Sequence, residues 1–242
     1  MGGLRQLEAA LRSDLHLNHA TGTARVTEIQ NRWQQLQQRL PPGVNLLAVS
    51  KMQPASAVRE LAACGQVDFG ESRVQEALPK QEALSDLKDL RWHFIGRLQA
   101  NKVRAVVKAF SWIHSVDSMT LAERVSRIAL EEGCCPSVLF QVKLRSDPAK
   151  GGWDPQSLRE NWPALSRLPG LHSSGLMTMA PLGYDVHERQ GLFRDCRDLA
   201  DELNLTQCSM GMSGDWPEAA ACGATWVRVG SALFGARPPL PS

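Results

Sequence analysis

The sequence NLLAVSKMQPASAVRELAACGQVDFG, residues 45–70, contains two short apolar runs separated by one helical pattern. The runs 45–50 and 66–70 have the length and composition of buried strands, and ASAVRELAACG between them is long enough for a helical crossover. A strand, a helix and a second strand in this order favour two parallel strands joined by a helix. The stretch therefore predicts a parallel sheet with helices outside it.

The same alternation continues along the rest of the chain. Eight apolar runs are predicted as strands, at 45–50, 66–70, 92–96, 111–116, 137–144, 173–179, 206–212 and 226–229. Helical patterns such as MTLAERVSRIALEEG and HERQGLFRDCRDLADEL lie between them. Eight such β/α units in about 200 residues predict an α/β fold of the (β/α)8, or TIM-barrel, class.

An open, doubly wound sheet is the alternative architecture. Its usual fingerprint, G-x-G-x-x-G after the first strand, is absent after LLAVSK, and no G-x-x-x-x-G-K-[ST] motif occurs. We therefore expect the closed barrel, as a single domain over residues 22–242. Apolar residues spaced by three and four over 24–40 predict a helix that covers a hydrophobic surface, and residues 1–21 are expected to form a terminal arm, helical or frayed.

The composition narrows the function classes. The chain has 242 residues with 27 basic and 25 acidic side chains, a net charge of +2, and no basic stretch typical of nucleic-acid binding. No apolar run approaches the roughly 18 residues of a membrane span. The six cysteines form no C-x-x-C pair, which argues against a metal site and favours free thiols in a reducing compartment. We expect a cytoplasmic protein, without metal, that acts as a monomer.

Lys51 is the first candidate functional residue, because it ends an otherwise apolar strand. Reactive residues of a barrel cluster at the carboxyl ends of the strands. A lysine in a partly dry pocket there has a lowered pKa and can form a Schiff base with an aldehyde. A solvated charge at the end of the strand is the alternative interpretation.

The last two strands run into SMGMSGD and VRVGSALFG, where Ser213, Gly230 and Ser231 lie in small-residue turns before helices. Such turns expose backbone N–H groups to an anion, and these two coincide with the usual phosphate site of the fold. Ordinary helix capping, by Ser213 or Asp215, is the alternative for a single turn.

Arg228 lies inside the apolar run TWVRVGSALF, where an unpaired charge would be costly, so its guanidinium needs a partner. It could form an ion pair with a carboxylate on a neighbouring strand, or it could face a ligand at the barrel mouth. A phosphate site, a Schiff-base lysine and an arginine in one cleft together suggest pyridoxal phosphate. A phosphate-binding isomerase or aldolase, with Lys51 on a sugar carbonyl, is the alternative.

Five longer segments closely resemble one known family. LLAVSKMQPASAVRELAACGQVDFGESRVQEALPK, LRWHFIGRLQANK, GLMTMAP, MGMSGDWPEAA and WVRVGSALFGAR are similar, in order, to the pyridoxal phosphate homeostasis proteins, also called the YggS family. The resemblance runs from about residue 22 to 237.

The resemblance implies a fold similar to the N-terminal barrel of alanine racemases, with pyridoxal 5'-phosphate held as an internal aldimine on Lys51. Ser213 and the backbone around Gly230 and Ser231 would hold the phosphate, and Arg228 would face the pyridine nitrogen. An arginine at that place disfavours protonation of the ring and weakens its action as an electron sink.

Two segments depart from the family pattern. Ser72 replaces an asparagine that the family places near the cofactor, because FGEN reads FGES here. In RSDPAKGGW, only Lys150 and Gly152 match the family's K-x-G motif. Within WHFIG, we expect His93 to be a hydrogen-bonded, inward packing residue, since strand alternation explains its position; Trp92, Trp226, Met177 and Met179 are expected in the core.

A two-base racemase needs a second acid or base on the opposite face of the cofactor ring. In alanine racemases this second group is a tyrosine, which a C-terminal domain supplies. Tyr184 is the single tyrosine here, in a loop after the sixth strand. We therefore expect a non-catalytic protein of pyridoxal phosphate homeostasis, which stores or delivers the cofactor to apo-enzymes and influences amino-acid and keto-acid balance. A weakly active pyridoxal-phosphate-dependent racemase or lyase is the alternative.

Overall fold

The computed structural model describes residues 28–146 and 151–235. Eight parallel strands form a closed barrel in the order of the sequence. The strands are β1 (Asn45–Val49), β2 (Asp68–Glu71), β3 (Arg91–Phe94), β4 (Trp112–Val116), β5 (Ser137–Gln141), β6 (His172–Met177), β7 (Gln207–Met212) and β8 (Trp226–Val229). The predicted (β/α)8 class and all eight predicted strand positions are confirmed.

Helices surround the barrel. They are α1 (28–39), α2 (Ala55–Ala63), α3 (Val74–Ala83), α4 (Val103–Ala109), α5 (Met119–Glu132), α6 (Pro155–Leu165), α7 (Val186–Glu202), α8 (Trp216–Ala221) and the short α9 (Ser231–Phe234). A 3-10 turn, Ala100–Lys102, precedes α4. Among the described residues, no helix is both long and apolar enough to span a membrane.

Local sequence signals set the ends of the longer helices. Asp185 begins α7 with a capping box, in which its carboxylate accepts the Glu188 N–H and the Glu188 side chain accepts the Asp185 N–H. Ser118 caps the first turn of α5, which ends at Gly133 in the left-handed conformation that favours glycine. These caps fix where each helix leaves the barrel.

Helix α1 covers the barrel as predicted. Ile29 and Leu36 are buried, and the Trp33 indole donates to Gln66 Oε1 at 3.0 Å, just before β2. The helix therefore contacts the segment that leads into β2. The predicted arm over residues 1–21 lies outside the described residues.

Strand β8 pairs with β1, and this pairing closes the barrel. Leu47 is in register with Arg228, and Ala48 with Val229. The closure brings the carboxyl end of the first strand beside that of the last. Lys51 and Gly230 are 179 residues apart in sequence, yet both line the mouth of the barrel.

Candidate functional site

A cavity of about 300 Å³ opens at the carboxyl ends of the strands. All six predicted site residues line it: Lys51, Ser72, Ser213, Arg228, Gly230 and Ser231. Val49, Ile95, Met177, Met179, Met212 and Gly214 complete the wall. The cavity thus combines two cationic side chains and three hydroxyls with an apolar lining, which is the composition of a site for a small anionic ring compound.

Lys51 lies two residues after the end of β1 and is partly exposed at the cavity wall. The residues on either side of Lys51 lack the exposure and the ordinary backbone conformation of a solvated strand end. Ser50 is fully buried, and Met52 has a φ of 62°, in the left-handed region that non-glycine residues seldom adopt. The chain therefore makes a tight, specified turn at this lysine.

The turns after β7 and β8 are joined through Ser213. Its Oγ accepts hydrogen bonds from the N–H groups of Gly230, at 3.2 Å, and Ala232, at 3.4 Å. Two backbone donors thus converge on one oxygen at the cavity wall, an arrangement whose chemistry fits a phosphate oxygen.

Asp215 occupies the N-cap position of helix α8, as one alternative held, but neither its side chain nor that of Ser213 caps the helix by a hydrogen bond. No side chain caps α8, and Asp215 instead accepts the Met212 N–H at 2.5 Å within the turn itself. Gly211 permits this turn, since it has a φ of +86° and a Cβ there would lie 2.6 Å from the Ala219 Cβ. The turn therefore holds Ser213 toward β8.

Arg228 is buried, with 5% of its surface exposed, and points to the interior of the barrel. Nη1 donates to the Ser209 carbonyl at 2.6 Å and to Ser209 Oγ at 2.8 Å, and Nη2 donates to the Thr178 carbonyl at 2.8 Å. The guanidinium is thus held by carbonyl and hydroxyl oxygens rather than by a carboxylate ion pair. Burial lowers the pKa of Arg228 to about 10, so it stays charged at neutral pH.

A series of buried hydrogen bonds continues from Arg228 through the barrel. Ser209 Oγ lies 2.9 Å from His114 Nδ1, His114 Nε2 lies 3.0 Å from His93 Nδ1, and His93 Nε2 lies 3.0 Å from Asp68 Oδ1. Arg91, half exposed, pairs with Asp68 at the strand starts. His93 is buried and stacked on Trp112, in agreement with its prediction as a hydrogen-bonded packing residue.

Burial sets the protonation states along this series. It lowers the pKa of His93 despite the neighbouring Asp68 carboxylate, and it holds the pKa of His114 well below its usual value, with further lowering from His93 and Arg228. Burial alone would raise the pKa of Asp68, but the hydrogen bonds from His93 and Arg91 outweigh it and lower the pKa. Both imidazoles are therefore neutral, and Asp68 is ionised at neutral pH.

Ser72 reaches the cavity because β2 and β3 approach closely just past their ends. A Cβ on Gly96 would lie 2.1 Å from the Ser72 carbonyl oxygen, so only glycine fits there. Ser72 lines the cavity as predicted, and its role toward a ligand stays a prediction.

The prediction of core positions for the two methionines is confirmed for Met177 and is wrong for Met179. Met177 is buried, but it also lines the cavity, and Met179 is only partly buried at the same wall. Because β6 ends at Met177, both side chains lie at the mouth of the barrel. Trp226 is buried in the barrel, and Trp92 packs partly buried against the outer core.

Two further sequence predictions concern the loops after β5 and β6. Lys150 lies outside the described residues, while Gly152 lies beside the Val142–Trp153 bridge that follows β5. Tyr184 is partly buried and packs against the core at the start of α7.

Sequence reasoning missed several polar residues near the site. Thr178 and His114 were hidden inside the runs predicted at 173–179 and 111–116, and Glu71 directly follows the run predicted at 66–70. Lys80 reads as an ordinary helix lysine in VQEALPKQEA. A buried charge on a helix has no local sequence signal, but the polar residues within strands could have been recognised by their inward alternation.

A family model described as "Alanine racemase, N-terminal domain" matches residues 25–238. The pyridoxal phosphate homeostasis protein of Synechocystis sp. is 48% identical over 204 residues, which cover 82% of this chain and 94% of the relative. The chain belongs to the pyridoxal phosphate homeostasis protein family. The family resemblance noted in the sequence is thereby confirmed.

Solved structures agree with this family assignment. The structure of PipY from Synechococcus elongatus PCC7942, with PLP bound, superposes on this chain with a TM-score of 0.83 at 53% sequence identity. The match covers 86% of this chain and 100% of the PipY chain. The alanine racemase of Clostridium difficile 630 has a TM-score of 0.70 at 17% identity, covering 88% of this chain and 58% of that one. The second likeness shows the shared barrel fold alone.

Proposed function

We propose that the protein binds pyridoxal 5'-phosphate through a Schiff base on Lys51, and that it holds and releases this cofactor rather than catalysing a reaction with it. One observation carries the proposal: a single cavity brings together Lys51, the Ser213–Gly230 turn and Arg228. The family name and the PLP-bound PipY structure support the choice of ligand.

Each part of the ligand has a matching group in the cavity. The Lys51 amine would add to the aldehyde carbon, and one water would leave as the C=N bond forms. The backbone donors near Ser213, together with Ser231, would hold the phosphate. The apolar wall of Met177, Met179 and Ile95 would cover the faces of the ring.

Arg228 would face the ring nitrogen. When bound, pyridoxal phosphate supplies an electron sink whose strength depends on protonation of that nitrogen. A guanidinium held by two main-chain carbonyls cannot turn away, and its positive charge disfavours a second one on the ring. Arg228 therefore weakens the electron sink, which suits a protein that keeps its cofactor unreacted.

Borohydride reduction tests the binding proposal. The purified protein, incubated with pyridoxal phosphate, should show a visible absorption band that is lost on reduction, with the adduct mapped by mass spectrometry to Lys51. Lys51→Ala should lack both the band and the adduct. An unchanged band in that variant would sink the Schiff-base assignment, and a wild-type protein without any adduct would favour an isomerase or aldolase.

A racemase or lyase would show itself by chemistry at the amino-acid α-carbon. Holoprotein mixed with D- or L-amino acids in D2O should exchange the α-hydrogen far more slowly than an enzyme does. Exchange at rates upward of about one per second would defeat the carrier proposal.

The proposal also extends to partners and location. We place the protein in the cytoplasm, acting as a monomer that passes cofactor to pyridoxal-phosphate-dependent apo-enzymes and so influences amino-acid and keto-acid balance. Ser231, Gly214 and Met212 are exposed at the cavity rim, which leaves the site open to solvent. Reactivation of an apo-enzyme across a dialysis membrane would indicate release into solution, and reactivation only on mixing would indicate direct contact.

A further inference from the structure

A group of three charges, two of them buried, contacts the residues on either side of Lys51. It consists of Glu71, at the end of β2, and of Glu76 and Lys80 on α3, and we call it the lysine–glutamate cluster. Lys80 Nζ lies 2.6 Å from Glu71 Oε1 and 3.2 Å from Glu76 Oε1. Glu71 is fully buried and Lys80 is 6% exposed. None of the three lines the cavity, so a direct contact with ligand does not explain them.

The cluster holds the chain immediately before Lys51. Lys80 Nζ donates to the main-chain carbonyl of Ser50 at 2.8 Å. The Ser50 hydroxyl donates to Glu71 Oε1 at 2.7 Å, the same oxygen that pairs with Lys80. The carbonyl of Ser50 is therefore fixed from α3 and its side chain from the end of β2.

The cluster also holds the chain immediately after Lys51. The Met52 N–H donates to Glu76 Oε1, which accepts from Lys80 as well. Met52 needs this support because its φ of 62° costs a non-glycine residue free energy. The two residues that flank Lys51 are thus tied to one lysine, by a direct bond on one side and through Glu76 on the other.

Fold stability alone does not account for the cluster. Charges in a protein interior lose their hydration, and a buried ion pair is often no more stabilising than apolar side chains of similar volume. Glu71 Oε2 is buried without a hydrogen-bond partner among the described residues, which adds to the cost. Burial raises the pKa of Glu71, although Lys80 and Ser50 act to lower it.

We propose that Lys80, held by Glu71 and Glu76, is a positioning residue for Lys51: it fixes the turn over residues 50–52 and thereby directs the Lys51 amine into the cavity. The inference rests on the proposed function, since it assigns Lys80 to Schiff-base formation. Binding of the phosphate would depend on the turns after β7 and β8, and binding of the ring on Arg228 and the apolar wall. The hydrogen bonds of the cluster reach none of these. Loss of the cluster should therefore weaken Schiff-base formation and leave non-covalent binding of the phosphate and the ring unchanged.

Two ligands separate these steps. Pyridoxal 5'-phosphate forms the Schiff base, whereas pyridoxine 5'-phosphate carries an alcohol in place of the aldehyde and cannot. The variant to compare is Glu71→Leu/Lys80→Met, which removes both buried charges together and leaves neither unpaired. It should bind pyridoxal 5'-phosphate about tenfold or more weakly, a change of about 1.4 kcal/mol, and bind pyridoxine 5'-phosphate within about twofold of wild type.

Three further variants sharpen the test. Lys80→Arg keeps a charged donor for Ser50 and Glu71. It should therefore retain most of the borohydride adduct that the Glu71→Leu/Lys80→Met variant loses. Glu76→Ala, on a side chain 25% exposed, releases Met52 and removes the longer of the two ion pairs of Lys80, while the buried Lys80–Glu71 pair remains. It should lower adduct formation in the same direction. Arg59→Met/Asp86→Asn removes an exposed ion pair that joins α2 to the loop after α3, and it should change neither ligand's affinity.

The outcomes distinguish the inference from the proposed function. If wild type forms no adduct on Lys51, the proposed function fails. If wild type forms it and the double variant binds both ligands as wild type does, or loses both equally, the positioning role of Lys80 is wrong. An adduct mapped to Lys80 itself would overturn both.

Discussion

The hydroxyl of Ser209 lies 2.9 Å from Nδ1 of His114. Because the same oxygen accepts a hydrogen bond from Arg228, its own proton is available to His114. A neutral His114 that accepts at Nδ1 donates from Nε2 to His93, and His93 then donates from Nε2 to Asp68. Every group in the series has a hydrogen-bond partner when each donor points away from Arg228 and toward Asp68. The hydrogen bonds therefore all run in the same donor-to-acceptor direction.

Ser209→Ala should interrupt this series. The change removes an acceptor from Arg228 and the donor to His114 in a fully buried environment. We expect the free energy of unfolding to fall by about 1–3 kcal/mol in urea titrations. Ser115→Ala is the matched control, because the Ser115 hydroxyl is also buried but has no hydrogen-bond partner among the described residues. Equal losses in both variants would contradict the account.

The two buried histidines should make stability depend on pH. Burial lowers the pKa of both His93 and His114, whereas an unfolded chain protonates its histidines near a pKa of about 6.5. As the pH falls below that value, the unfolded state binds protons that the folded state refuses, so the free energy of unfolding decreases. For two histidines the slope approaches about 2.7 kcal/mol per pH unit.

Urea unfolding at several pH values between about 7.5 and 5.5 measures this slope. His172→Gln, at an exposed position at the start of β6, should leave the slope as it is in wild type. Stability that stays constant over the range would show that His93 and His114 bind protons as readily in the folded state as in the unfolded chain.

Gly96→Ala should destabilise the barrel mouth. The new methyl group would lie 2.1 Å from the Ser72 carbonyl oxygen, and that oxygen belongs to the main chain and cannot rotate away. We expect a loss of about 1–3 kcal/mol in the free energy of unfolding. Gly214→Ala, where nothing lies within 4 Å of the added methyl, should stay within about 0.5 kcal/mol of wild type. Similar values for the two would refute the packing argument.

Ser213→Ala should weaken binding of the phosphate group. The variant loses the hydroxyl that organises the N–H groups of Gly230 and Ala232. We expect the Kd of pyridoxal 5'-phosphate to rise about tenfold, the effect of one hydrogen bond to a charged group. Pyridoxal, which lacks the phosphate, serves as the control ligand, and its affinity should not change. A parallel loss for pyridoxal would place Ser213 outside the phosphate site.

The strands could be predicted because each is a short apolar run between polar helices, a pattern that burial on both faces of a parallel sheet requires. The ends of two strands differ from the predicted ones. The run predicted at 66–70 begins as a strand only at Asp68, because the Gln66 side chain donates to the main chain of Leu46 and of Asp68. The run predicted at 137–144 ends at Gln141, since Val142 turns to pair with Trp153.

Lys51 and Arg228 were recognisable because each places a charge in an apolar strand context. Lys80 was not, since a lysine every few residues is normal on an exposed helix. Its burial depends on the distance between α3 and the barrel, which no local pattern encodes. The contact between His114 and Ser209 spans 95 residues and exists only because closure sets β4 and β7 across the interior from each other.

Closure by β8 has a consequence for how the protein is made. Lys51 leaves the ribosome early, whereas Arg228 and Gly230 are among the last parts of the barrel to be synthesised. A nascent chain that lacks β8 has the amine but neither the arginine nor the backbone donors beside it. Because such long-range pairing forms late, the complete cavity should arise only after translation has passed residue 230. Stable capture of a phosphorylated aldehyde would then mark a chain whose eighth strand has been synthesised and has closed the barrel.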